Sequence, residues 1–397
     1  MDTLTRQVKQ YALELGFDLV GIASADSFTD HQEITLERLR EGLMDGLPWY
    51  GESRVRRGCN PSELLPGARS IITVGISYLA PEEDGDGKSR LGGKVARYSW
   101  GDDYHKVLKS RLKALVQGLE PRLGRPINAR WYVDDGPMLD RAVAQRGGIG
   151  WFGKNTNILS PSHGSWVFLG QVITDLELQP DEPSKKTCGS CVRCIDACPT
   201  DAIIAPYVID NARCISYLTI ENRGSIPKRL RPLMYDWVFG CDICQDVCPV
   251  NVKAAYTREQ AFKKQRFTTL DLVGILEMTE EEFRERFQGS PIKRAKRVGL
   301  QRNACVALGN SSDSTAVPAL VSALTQGEAL VRGHAAWALG RLGGPEAIVA
   351  LVEALALEQD SQALEEVEAA LREAGHRESP RTPQKPSPTQ LPSPVSP

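Results

Sequence analysis

Residues 188–199 read CGSCVRCIDACP, and residues 241–249 read CDICQDVCP. The first stretch is the run C-x2-C-x2-C-x3-C-P, formed by Cys188, Cys191, Cys194 and Cys198 ahead of Pro199. Three thiolates at that spacing wrap one face of an iron–sulfur cubane, while the fourth turns toward a different cluster. The second stretch repeats the latter part of the pattern with Cys241, Cys244 and Cys248, but Val238 stands where a further cysteine would fall. Two four-iron clusters need eight ligands, and these stretches hold seven. Cys214, between them, is the natural eighth. The assignment is then Cys188, Cys191, Cys194 and Cys248 on one cluster, with Cys198, Cys214, Cys241 and Cys244 on the other. A pair of zinc sites is the blander alternative, and so compact a run suits separated tetrahedral knuckles poorly. The expectation is a two-cluster, ferredoxin-like segment that moves electrons one at a time.

Cys59 and Cys305 have no partner at ligand spacing and read as small buried apolar residues. The chain of 397 residues has room for two or three domains. Its net charge of −2 means that any surface for a polyanion must be a local patch. No run approaches the roughly 20 apolar residues of a membrane helix. The start, Met1–Gln10, is polar and lacks the apolar core of a signal peptide. A cytoplasmic setting is expected, where thiols stay reduced and tight cysteine groups serve metals.

Upstream of the cysteines, helical and strand patterns alternate. Thr5–Leu15 has helical periodicity, and Phe17–Ala23 and Ser70–Tyr78 are apolar runs of strand length. Asp102–Leu119 places Leu108, Leu112, Leu115 and Leu119 on one helical side. Ile127–Val133 and Val167–Leu178 read as strands around a helix at Met138–Arg146. Interleaved elements argue for α/β layers over residues 1–180. The cluster segment follows at 181–255 and a helical region at 256–376, beginning with a polar helical stretch, Thr269–Phe287. There LQRNACVALG (300–309) matches VRGHAAWALG (331–340), and VPALVSAL (317–324) matches IVALVEAL (348–355), both at an offset of 31. Paired helices at a fixed period mark a HEAT-like array, and two such units must lean on the preceding segment to bury a core. Residues 377–397 are rich in Pro and Ser and read as a disordered tail.

One glycine-rich stretch imitates nucleotide sites. Residues 148–154, GIGWFGK, match G-x-G-x-x-G, but a helix precedes them where a dinucleotide fingerprint needs a strand. Read as G-x4-G-K, they end on Asn155 where a P-loop needs Ser or Thr. A tight turn passing close to something bulky, such as a cofactor, is the better reading.

Residues 131–170, WYVDDGPMLDRAVAQRGGIGWFGKNTNILSPSHGSWVFLG, together with ARYSWGDDYHKVLKSRL (96–112) and the cluster segment, are similar to the epoxyqueuosine reductase family. The resemblance spans nearly the whole chain up to the tail. It implies a cobalamin-binding α/β domain akin to reductive dehalogenases, a module with two [4Fe-4S] clusters, and HEAT-like repeats. The implied activity is reduction of epoxyqueuosine to queuosine at the wobble position of a tRNA anticodon, with release of water. The family's catalytic carboxylate falls on Asp134, which would protonate the epoxide oxygen as the ring opens. A Thr usually follows it, whereas here Asp135 does. That second carboxylate either raises the proton affinity of Asp134 by repulsion or faces away.

Arg57, Arg97, Asp134, Lys154, Ser216 and Asp242 match positions associated with the cobalamin, and Tyr104, His105 and Arg141 with the substrate pocket. The resemblance also implies a flavodoxin- or ferredoxin-like one-electron donor, no membrane, and action as a monomer. Two basic clusters, Lys228/Arg229/Arg231 and Lys293/Arg294/Lys296/Arg297/Arg302, offer phosphate contacts for the tRNA. The rivals are a corrinoid reductive dehalogenase and a ferredoxin-like carrier without catalysis.

Overall fold

A computed structural model describes residues 2–82 and 90–375, so the expected tail lies outside the described residues. The central sheet has four strands in the order Leu19–Ser24, Ser70–Ser77, Val167–Thr174, Ala129–Tyr132. Every neighbouring pair is antiparallel. Helices cover both faces, as the interleaved pattern implies, but the connectivity is α+β and no parallel crossover is present in this sheet. Both coverings follow from the pleat, which sends alternate side chains to opposite faces. Ile72, Val74 and Ile76 meet Leu108, Leu112 and Leu115 of the helix Tyr104–Leu123. On the other face Ile71 and Ile173 meet Leu64 and Val143. With water excluded from both sides, Ser70–Ser77 is buried along its whole length, which is why it reads as an unbroken apolar run.

The long helix starts at Asp103, whose side chain accepts from the His105 N–H, and stops at Gly124 in the left-handed region. Truncating a fully buried leucine such as Leu108 would cost about 2–5 kcal/mol.

A second sheet joins segments that are far apart in sequence. Gly92–Val95 lies in its centre, parallel to Trp237–Phe239 and antiparallel to Thr269–Asp271. Through it one core runs from Val95 and Trp100, past Ile215 and Phe239, to Leu308 and Val367. The polar stretch expected as one helix is therefore divided. Thr269–Asp271 is strand, Leu272–Glu277 is helix, and a capping box between Thr279 and Glu282 restarts the chain as Glu280–Arg286.

The repeats form helices Arg297–Asn310, Val317–Gln326, Ala329–Leu342 and Pro345–Leu357, and a further helix, Ser361–Gly375, packs on Ala329–Leu342. Arg302 and Asn303 fasten the stack to the cluster segment. Arg302 donates to the carbonyls of Leu218 (2.6 Å), Asn222 (2.8 Å) and Gly224 (2.8 Å), and Asn303 to those of Thr219 and Val238 (both 2.9 Å). Among the described residues no helix is long and apolar enough to cross a membrane.

Candidate active site

Asp134 lies in the turn that follows the edge strand Ala129–Tyr132, with φ of 55°. Asp tolerates this left-handed conformation better than most residues, and such strain concentrates at functional sites. The turn is held on three sides. A Cβ on Gly136 would sit 2.2 Å from the Tyr132 ring, so only glycine fits there. One on Gly58 would meet the Pro137 carbonyl oxygen at 1.9 Å, so the helix Glu52–Gly58 packs hard against the turn. Arg54, from the same helix, donates to the Gly136 carbonyl.

Asp134 and Asp135 point in different directions. Tyr104 donates its hydroxyl to Asp134 Oδ2 at 2.6 Å. Burial and the Asp134 charge push the Tyr104 phenol well above its ordinary range, so it remains a donor. Its ring is fixed between Phe168 (4.3 Å, parallel) and His105 (4.0 Å). Asp135 faces away. It accepts from the Val133 N–H at 3.0 Å and pairs with Lys109. Despite partial burial, these partners hold its carboxyl below the usual range. Beneath the turn, burial and then the Asp134 charge raise the Asp140 carboxyl to about 7.

None of the ten cysteines forms a disulfide. Cys194 is pushed up to about 11 by burial and by the nearby Cys188, Cys248 and Cys191. Burial raises Cys214, Cys241 and Cys244 as well; Cys198 bears on Cys214 and Cys244, and Cys214 on Cys241 and Cys244. Cys194 thus interacts with Cys188, Cys191 and Cys248, and Cys244 with Cys214, Cys198 and also Cys194. Cys59 and Cys305 are buried in apolar surroundings. Val238 occupies the second sheet, its side chain against Gly93, which accounts for the missing cysteine.

An aromatic row leads from the second thiol set to Asp134. Phe239, two residues before Cys241, lies 5.9 Å from Tyr98, and Tyr98 lies 6.3 Å from Tyr104 (centroid distances). Burial, then the charges of Asp134, Glu221 and Asp242, drive the Tyr98 phenol far up. Tyr98 is therefore a neutral spacer between the turn and the cysteines.

The other expected site residues are less free than the sequence implies. Arg97 bonds Asp242 through its backbone N–H (2.7 Å) and guanidinium (3.3 Å), and also reaches Asp246 (2.6 Å) and Glu82 (2.7 Å). Burial raises Asp242 to about 7 even so. Lys154 donates to the Gly189 carbonyl at 2.8 Å, and Asn155 to that of Cys244 at 3.2 Å. The glycine-rich turn thus clasps the cluster segment. Arg141 donates to Thr156 at 2.8 Å, and His105 Nδ1 meets Asp103 at 2.8 Å. Ser216 lies beside the Cys214 sulfur. Arg57 is exposed on the helix against the Asp134 turn. Between Arg141 and Ser165, whose hydroxyl donates to Gln245 at 2.9 Å, lies a cavity of about 80 Å³. Asn157, Ser160, Gly164 and apolar side chains line the rest of it.

Three families match along the chain: epoxyqueuosine reductase QueG, DUF1730, at residues 58–135; the 4Fe-4S double cluster binding domain at 187–251; and HEAT repeats at 293–372. The epoxyqueuosine reductase of Vibrio cholerae serotype O1 is 40% identical over 345 residues, covering 85% of this chain and 91% of the relative. The chain belongs to the epoxyqueuosine reductase family. A crystal structure of an epoxyqueuosine reductase with a tRNA-Tyr epoxyqueuosine-modified stem loop superimposes with a TM-score of 0.88 at 33% identity, over 94% of this chain and 99% of the other. That of the Bacillus subtilis epoxyqueuosine reductase, with its catalytic aspartate loop swung out of the active site, gives 0.87 at 33% identity, over 93% and 98%.

In this family member the basic clusters need correction as tRNA surfaces. Arg302 is fully buried against backbone carbonyls, and Arg231 is fully buried with both nitrogens on Glu366 at 3.0 and 2.7 Å. Neither can reach a phosphate. Arg297 is engaged by Glu280 and Glu328. Lys228, Arg229, Lys293, Arg294 and Lys296 remain at the surface. The reductase site also contains residues the sequence reading missed: Tyr98, Phe168 and Asp140 have no motif to mark them and become visible only through packing.

Proposed function

We propose that this chain reduces the epoxide of epoxyqueuosine to queuosine at the wobble position of a tRNA anticodon, with cobalamin beside Asp134 and two [4Fe-4S] clusters in the cysteine segment. The observation that carries this reading is the row Phe239–Tyr98–Tyr104, which sets the buried thiols next to a strained, exposed acid. A carrier without catalysis has no need of that acid.

Cys188, Cys191, Cys194 and Cys248 would hold the cluster nearer solvent, and Cys198, Cys214, Cys241 and Cys244 the one nearer Asp134. The cobalamin fits what is present. The small cavity mixes donors with apolar walls, and the glycine-rich hairpin beside it buries Trp151 Nε1 without a partner among the described residues. Asp134, Arg57 and Ser216 would touch it directly. Arg97 and Asp242, bonded to each other, and Lys154, bonded to Gly189, would shape its bed. These groups together supply strongly reducing single electrons.

The remaining chemistry belongs to the chain. Opening the epoxide to an alkene and water takes two electrons and two protons. Asp134 delivers a proton to the departing oxygen. Tyr104 fixes the carboxyl by hydrogen bonding to Oδ2 and keeps its own proton. Wobble bases in an anticodon loop are unstacked and can enter a pocket without melting a duplex.

The test is anaerobic incubation of the reconstituted protein with cobalamin, a reductant and epoxyqueuosine-containing tRNA. Conversion of the base is expected. No conversion with both clusters intact would overturn the reading.

A further inference from the structure

At the mouth of the candidate site stands an aromatic residue that nothing above uses. Trp49 keeps 42% of its surface exposed although it is the largest side chain of its loop. Its loop is anchored to the cluster segment: Asn211 bonds the carbonyls of Leu43 (2.9 Å) and Asp45 (3.0 Å), and Gly46 rests against the Tyr217 hydroxyl. The Arg294 guanidinium sits 5.1 Å from the Trp49 ring centroid. Arg294 is fixed in turn, with its Nε on Glu221 at 2.8 Å and its carbonyl accepting from Arg223 at 2.8 Å. Trp49 stands three residues before the helix Glu52–Gly58, which packs on the Asp134 turn at Pro137, and the charges of Asp134 and Tyr104 reach Arg294. Lys293 and Lys296, also exposed, flank it.

We propose that Trp49, braced by Arg294, is a stacking platform for an unpaired base next to the modified nucleotide of the anticodon loop. This rests on the functional reading above and deepens it. A flat π-face braced by a guanidinium, within a basic rim, matches single-stranded RNA: stacking accepts any base, and the cations meet the phosphates on either side. The platform fixes the loop so that the wobble base alone extends toward Asp134.

The experiment compares Trp49→Leu, which keeps apolar bulk without a π-face, and Trp49→Tyr, which restores one, using an epoxyqueuosine-modified stem loop. Loss of one stacked base should raise KM roughly tenfold or more in Trp49→Leu, with kcat at saturation, iron content and melting temperature unchanged. Trp49→Tyr should recover most of the KM. A wild-type KM in Trp49→Leu, or a loss confined to kcat, overturns the platform. Direct binding of the same stem loop to both variants separates the two readings. If the wild type converts nothing, weakened binding by Trp49→Leu alone still supports the platform, and equal binding removes it.

Discussion

Around Cys188, Cys191, Cys194 and Cys248 the neighbouring side chains face water: Val192 is 40% exposed and Val252 70%. Around Cys198, Cys214, Cys241 and Cys244 they do not, for Asp242 is 1% exposed and Phe239 0%. The two stretches share most of their sequence spacing, so spacing is not what separates them. The first set lies at the surface, where Lys154 of the glycine-rich turn touches its loop at the Gly189 carbonyl. The second is roofed by the central strand Gly92–Val95, the Arg97 guanidinium and Tyr98. Under the proposed function this difference would give the module a direction, with entry for electrons at the exposed end and delivery at the end beside Asp134.

The most severe way to break that comparison is at the buried end. Cys214→Ser should remove the buried cluster, lower iron per chain by about half and abolish turnover. Full iron content in that variant would show that another residue is the eighth ligand. Next in size is the pair of adjacent acids. Asp134→Asn should lower kcat by roughly 10²–10⁴-fold with clusters intact, whereas Asp135→Asn, which loses its charge toward Lys109 and keeps an acceptor for the Val133 N–H, should change kcat by less than about tenfold. Equal losses would mean that the two carboxylates share the work.

Smaller, and read as stability, is the contrast between Arg97 and Val252. Arg97→Met removes the guanidinium from Asp242 but keeps the backbone N–H bond to it, and should destabilise by about 1–3 kcal/mol in chemical denaturation. Val252→Ser at the exposed end should stay within about 0.5 kcal/mol.

A further effect depends on pH. Asp140 rises from 3.8 to about 7 on folding, so the native chain holds a proton that the unfolded chain has released between those values. Its contribution is full below about pH 4 and is lost as pH rises through about 7. Asp140→Asn should therefore raise the melting temperature at about pH 8 and flatten its slope from pH 4 upward. An unchanged slope would place the titration elsewhere.

Much of the site was legible locally. Thiol spacing announces itself because cluster geometry demands it within a dozen residues. VDDGP is marked only by the family resemblance; that Gly136 cannot carry a side chain against Tyr132 is visible in the fold alone. The basic clusters misled because charge in a sequence says nothing of its partner: Glu366 lies 135 residues from Arg231, and the carbonyls that bury Arg302 belong to the cluster segment.

By itself the sequence showed the cysteine spacing from which two ligand sets and an eighth ligand in Cys214 are expected, the repeat of 31 residues and the family resemblance. Each depends on spacing along the chain, which folding preserves. Only the tertiary structure decided that the sheet is antiparallel, that Asp135 turns away from Asp134, that Arg97 serves Asp242, and that Tyr98 fills the gap between acid and cysteines. Those are choices among long-range partners, set by which surfaces the collapsed chain brings together and by the need of every buried charge for a counterpart.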